Sequence, residues 1–301
     1  MKIPFEKATF AREMKPRISG VNLTLDYDNI ESSLCKVAVT CSGILSQKLY
    51  DKLCEGAASS DQDLQDKAKD YLQRAILHFG IYEHLIFLIT RIGNDGVTVK
   101  KNEDETTIYK YQEDALNNNL ITTGWFWMNQ LIKLLNDNKD KFPNWKGNKE
   151  MSEIPIDVTD FQRWVGVSDE YFIIVARWLI REVWEECVLS REKTPEKNKY
   201  NTRALCYDVM ARACTRLAYM SLPEPIRRDI SNEMGKNHNA KADDYIRERV
   251  AKVFEAKAVT YWTAWDLELK KQDVKAGNTN MSSRPVIGER NITERDKFYF
   301  G

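Results

Sequence analysis

Three histidines, six cysteines, an aspartate pair and a tryptophan cluster are the residues whose chemistry could define a site. His78 and His84 lie six positions apart in a helical pattern and His238 stands far away. A helical metal pair needs its ligands on one face, three or four residues apart, so ordinary core or surface histidines are expected and no metal. Asp243 and Asp244 open another helical pattern, where carboxylates complement the helix dipole. A magnesium site built on them would need a further carboxylate where Arg247 stands, and no second aspartate-rich helix follows. Cys35, Cys41, Cys54, Cys187, Cys206 and Cys214 form no C-x-x-C pair and mostly sit in apolar helical patterns, as buried free thiols of a reducing compartment do. There is no Gly-rich phosphate loop, no G-x-S-x-G and no cysteine with a placed histidine partner. No catalytic residue and no cofactor are expected, and an all-α enzyme using Asp243 and Asp244 is the least supported reading.

Two binding surfaces also need weighing. Trp125, Trp127, Trp262 and Trp265 could stack bases, but they sit on apolar stripes, which favours packing or a subunit interface. Arg191, Lys193, Lys197, Lys199 and Arg203 are interrupted by Glu192 and Glu196, as in a solvated loop. The chain carries 45 basic and 45 acidic residues, so no overall field holds it on a phosphate backbone or an anionic membrane. No apolar run is long enough for a signal peptide or a membrane span.

The elements that must position these groups are helical. Only 13 Gly and 8 Pro among 301 residues favour an all-α class over a sandwich or barrel. The longest helical pattern runs from Thr107 to Asn136, and Tyr111, Leu116, Leu120, Gly124, Trp127, Leu131 and Leu135 mark one face. A single offset carries these positions onto Tyr245, Val250, Phe254, Ala258, Tyr261, Trp265 and Leu269. Two tandem helical units from an internal duplication follow, with Leu120, Trp127, Leu131, Phe254, Tyr261 and Trp265 as structural core.

Residues 1–25 lack a clear period and read as an extended arm, and unit 1 spans 26–145. Its first helix begins near Asp28, a candidate cap, and runs to Gly56; a second ends near Thr90. Asn94-Asp95-Gly96 between short apolar runs predicts a small hairpin or ordered loop. A linker at 146–157 precedes unit 2 at 158–275, in which Ser168 can cap a helix and Pro223-Glu224-Pro225 stops a later one. Residues 276–301 are polar with an aromatic end, an arm that orders on a partner.

Four stretches carry a resemblance: NIESSLCKVAVTCSGILSQKLYDKL from Asn29, AKDYLQRAILHFGIYEHLIFL from Ala68, IGNDGVTVKKNEDETTIYKYQEDAL from Ile92, and DKFPNW from Asp140. With their order of helix, short loop and long helix, the chain resembles the head-to-tail connector proteins (adaptor or neck rings) of tailed bacteriophages, of the kind carried by crAss-like and related gut phages. The likeness covers the first half well, the second as a diverged copy, and neither arm. It implies a non-enzymatic virion protein of the neck, assembled in the bacterial cytoplasm. As the resemblance has it, the chain forms a twelve-fold ring on the portal protein, contacts other neck or tail proteins, and passes DNA through its lumen without reading sequence. Subunit or partner contacts would fall on Ile92, Asn94, Asp95, Gly96, Val97 and Val99 of the loop. Arg284, Phe298, Tyr299 and Phe300 of the C-terminal arm would add to them. The alternative is a cellular or prophage-encoded α-helical binding or scaffold protein with no virion role.

Overall fold

A computed structural model describes residues 2–18, 25–56, 62–93, 96–99, 110–147, 154–236 and 242–275. The protein is all-α. Its described residues form ten α-helices: α1 (Phe10–Met14), α2 (Tyr27–Leu45), α3 (Gln47–Glu55), α4 (Gln62–Ile89), α5 (Lys110–Asp137), α6 (Val158–Val165), α7 (Glu170–Val183), α8 (Lys199–Arg216), α9 (Glu224–Lys236) and α10 (Ala242–Lys275). A π-helical turn, Trp184–Val188, extends α7. Between α4 and α5 lies an antiparallel hairpin of β1 (Thr90–Gly93) and β2 (Gly96–Val99), in register Ile92 with Val97 and Gly93 with Gly96. The chain divides into two compact units, Met1–Ser152 with Asp169–Val175, and Glu153–Ser168 with Ala176–Gly301.

Unit 1 is built on α4, which packs along α5 and against α2. Leu72, Ala75, Ile76 and Phe79 of α4 are buried, as are Leu120, Met128, Leu131 and Leu135 of α5. The two helices meet closely at Gly124, where an added Cβ would stand 2.5 Å from the Phe79 ring. The first residues of α7 complete this core. Tyr171 stacks on Phe79 at 6.3 Å and meets Trp125 edge-on at 4.7 Å, while its backbone N–H donates to Asn129 Oδ1 at 2.9 Å.

Residues 2–18 do not stand off as an arm but pack into unit 1. Phe5, Phe10, Met14 and Ile18 are buried, Tyr50 donates its hydroxyl proton to the Lys2 carbonyl at 3.0 Å, and Arg17 pairs with Asp70 at 2.9 Å. Four apolar residues between Pro4 and Pro16 and just beyond are too few to display a period, and their burial is decided by α2 and α4 rather than by local sequence.

Other boundaries also move. Asp26, not Asp28, is the N-cap residue of α2, with no side-chain cap bond, and Asp28 lies in the first turn. The helix expected through Gly56 breaks at Ser46, whose φ of 76° is left-handed and ends α2 before α3 begins. Leu45 and Leu49 keep helical spacing across that break and conceal it. In unit 2, α8 packs along α10 and against α6. It ends at Arg216, well before Pro223, and Pro225 sits in the first turn of α9 rather than terminating anything. Proline is tolerated in a first turn because those N–H groups lack intrahelical acceptors anyway.

Of the six proposed core residues, Leu120, Leu131 and Trp265 are buried, whereas Trp127, Phe254 and Tyr261 are only half-buried. Along the repeated stripe, Gly124 and Ala258 are both buried, as are Leu131 with Trp265 and Leu135 with Leu269, and Trp127 and Tyr261 are both half-buried. Leu116 and Val250 differ in burial, and so do Leu120 and Phe254.

Two outcomes follow. Gly124→Ala gains about 1 kcal/mol of helix propensity but drives a methyl group into the Phe79 ring, at a cost of about 1–3 kcal/mol. Net destabilisation of unit 1 is expected in urea unfolding, and a double-mutant cycle with Phe79→Leu should show coupling of about 1 kcal/mol or more; strict additivity would refute the contact.

The second concerns Asp157, whose side chain accepts from Thr159 and Asp160 N–H groups in a capping box on α6. Burial pushes its pKa up, but the Thr159 hydroxyl, these N–H groups and Lys197 outweigh it and hold the carboxyl below its usual range. Its folded value being depressed, the stabilisation is complete above the unfolded pKa of about 3.9 and is lost as pH falls through the folded value. Asp157→Ala should therefore cost about 1 kcal/mol at neutral pH and progressively less in acid. An equal difference at both ends of the pH range would show that the charge is not responsible.

Candidate functional site

The residues singled out for chemistry do not converge. His78 and His84 are both buried in α4. His78 holds its Nδ1 2.7 Å from the Arg74 carbonyl, and burial pushes its pKa down, with that hydrogen bond opposing. The His84 ring lies 5.7 Å from Phe87. Among the described residues no group of three His, Cys, Asp or Glu side chains is arranged to hold a metal ion. Asp243 and Asp244 lie in the first turn of α10, and their side chains, like His238, fall outside the described residues.

All six cysteines are free, and Cys41, Cys206 and Cys214 are buried. Burial pushes the thiols of Cys41, Cys187 and Cys214 up to about 12 and that of Cys54 to about 11, so they stay protonated at neutral pH. A protonated thiol is neither nucleophile nor metal ligand.

The proposed contact loop is the hairpin itself, with Ile92, Gly96, Val97 and Val99 on its strands. Asn94, Asp95, Arg284, Phe298, Tyr299 and Phe300 lie outside the described residues.

What the structure does bring together, in both units, are cations and aromatic rings. In unit 1 the Arg74 guanidinium lies over Trp127 at 4.6 Å, and Tyr71 packs on the same indole at 5.5 Å. Arg74 is held 2.7 Å from Asp70, whose other oxygen takes Arg17 at 2.9 Å. The stacked guanidinium thus has a carboxylate partner, shared with a second arginine. The stack borders a small cleft of about 230 Å³ lined by Lys67, Tyr71, Gln130, Lys133 and neighbours.

In unit 2 the cations divide into two groups. One is internally paired: Arg212 joins Asp208 at 3.0 Å and Glu186 at 2.7 Å and also pairs with Glu182, which takes Arg216 at 2.5 Å as well. Trp262 donates its indole N–H to Asp208 at 3.1 Å, and Arg191 pairs with Asp266 at 2.9 Å while lying 4.9 Å over Trp262. Glu182 is held below its usual range by hydrogen bonds from Arg216, then from Arg212, against the opposing pull of burial. Lys197 pairs with the buried Asp160 at 2.7 Å.

The other group is open. Arg203 lies 4.0 Å over the Tyr261 ring and 4.8 Å over Trp164, yet no carboxylate among the described residues pairs with it. Of the basic residues that read as a solvated loop, Arg191 and Lys197 are thus structural, while Lys199 and Arg203 stand on α8. Sequence showed the cations and rings but not which cations had partners, because those partners come from distant helices.

No described helix is long and apolar enough to cross a membrane. Residues 39–153 match a family of unknown function, DUF6712, a stretch that begins within α2 and ends one residue beyond the first segment of unit 1. No curated protein and no solved structure matches the chain.

Proposed function

We propose that the chain is a structural virion protein, one subunit of a head-to-tail connector ring that docks on a phage portal and forms part of the neck channel for DNA. We further propose that its two helical units arose by duplication. The observation that carries the reading is the run of helix, hairpin and helix from Gln62 to Asp137, into which the central stretches of the resemblance fold. The match to residues 39–153 covers the same part of the chain, apart from the start of the first stretch. That family has no known function, so it supports the recurrence of the unit and not its role.

A ring requires heterologous contacts, in which two different faces of each subunit fit one another and close by rotation. Large apolar side chains left exposed are the raw material of such faces. On α10, Tyr245, Val253, Val259 and Leu267 are each about half exposed or more, and Phe126 of α5 is 51% exposed. Each neighbour contact should bury more than about 1,000 Å². The chain itself and the portal are then its principal partners, with other neck or tail proteins beyond them.

Mixing the purified chain with its cognate portal and imaging the product by electron microscopy tests the reading. A ring coaxial with the portal is expected. A chain absent from purified virions, or one that stays monomeric beside the portal, would end it and favour a scaffold or binding role in the cell.

A further inference from the structure

We propose that the face of unit 2 formed by α6, α8 and α10 binds the phosphodiester backbone of a nucleic acid, with Arg203 as its central contact. The face carries a row of cations that share aromatic rings. Arg163 and Arg203 both lie over Trp164, at 5.8 and 4.8 Å; Arg203 continues over Tyr261 and, at 5.8 Å, Tyr207; Lys257 also lies over Tyr207, at 5.4 Å. Lys199, one turn before Arg203 on the same helix, lies over Tyr200 at 4.8 Å. Arg163, Lys199 and Lys257 are exposed and Arg203 is half-buried.

The lack of carboxylate partners separates this row from the ion-paired arginine clusters described above. The nearby carboxylates are committed elsewhere, Asp160 to Lys197 and its capping role, Asp208 to Arg212 and Trp262. The four cations of the row have no ion pair among the described residues, and Arg203 Nε is buried without a hydrogen bond. In unit 1 the stacked guanidinium of Arg74, by contrast, is ion-paired with Asp70, which it shares with Arg17. Stacking on rings therefore does not by itself create an open site; the missing carboxylate does.

A guanidinium held among several aromatic rings has less freedom to lose on binding, which suits the planar, bidentate recognition of phosphate oxygens. The cations already cover the rings they share, so the row offers charge rather than free stacking platforms. Backbone contacts without sequence preference are the consequence. A chain with no net charge gives no general pull toward polyanions, so this local excess has to supply the binding.

The test is fluorescence anisotropy of a labelled mixed-sequence DNA duplex titrated with the full chain. Four phosphate contacts predict affinity falling about 100-fold between 50 and 200 mM salt. Lys257→Ala and Arg163→Ala, both exposed and outside the core, should each weaken binding and lower the salt slope by about one. Arg203→Lys, which keeps the charge but loses the fork, should weaken binding too, and Lys36→Ala, in an exposed pair with Glu83 of unit 1, should not. No binding at low salt, or binding that these three substitutions leave unchanged, would overturn the proposal. Equal displacement of the DNA by sodium polyglutamate would also overturn it and assign the face to an acidic protein segment. Binding by the isolated chain is expected whether or not a ring forms on a portal, so failure here and failure of the ring are separate results.

Discussion

Unit 1 depends on one close approach, the Phe79 ring lying over Gly124. Gly124 on α5 leaves the room that the large Phe79 ring of α4 occupies. Tyr171 stacks on Phe79 and meets Trp125, which ties the start of α7 to the core. Trp127 lies at the rim, where Tyr71 and Arg74 cover it. A residue that spacing alone assigns to the core is thus a half-exposed stacking partner.

The same positions in unit 2 are filled differently. Ala258 stands at the counterpart of Gly124, and the position of α8 reached from Phe79 by the same offset is Ala213, both buried. The aromatic rim also persists, as Tyr261 in place of Trp127 with Arg203 over it.

Helix type and order were legible because long amphipathic segments repeat their signal many times, and the hairpin because Asn94-Asp95-Gly96 interrupts a helical period sharply. Short elements were not. The segment around Phe10 spans little more than one helical turn, α6 is eight residues, and Ser46 breaks a helix without disturbing the spacing of Leu45 and Leu49. Pro223-Glu224-Pro225 was ambiguous for a physical reason, since a proline that ends one helix is equally suited to begin the next. The distinction rests on Ile226 and Ile230, whose burial gives α9 a reason to form.

The candidate site was hidden for a different reason. Its residues are ordinary in the sequence, and what singles them out is a deficit of partners that only tertiary structure reveals. Equal numbers of acidic and basic residues make a chain look electrically featureless, yet neutrality is an average over pairs that form and pairs that do not. Carboxylates drawn into the Arg212 network and into the pair of Asp160 with Lys197 have partners other than Arg203. A protein can thus keep zero net charge and still present one place where a polyanion is held, provided its acids are spent on holding the helices together.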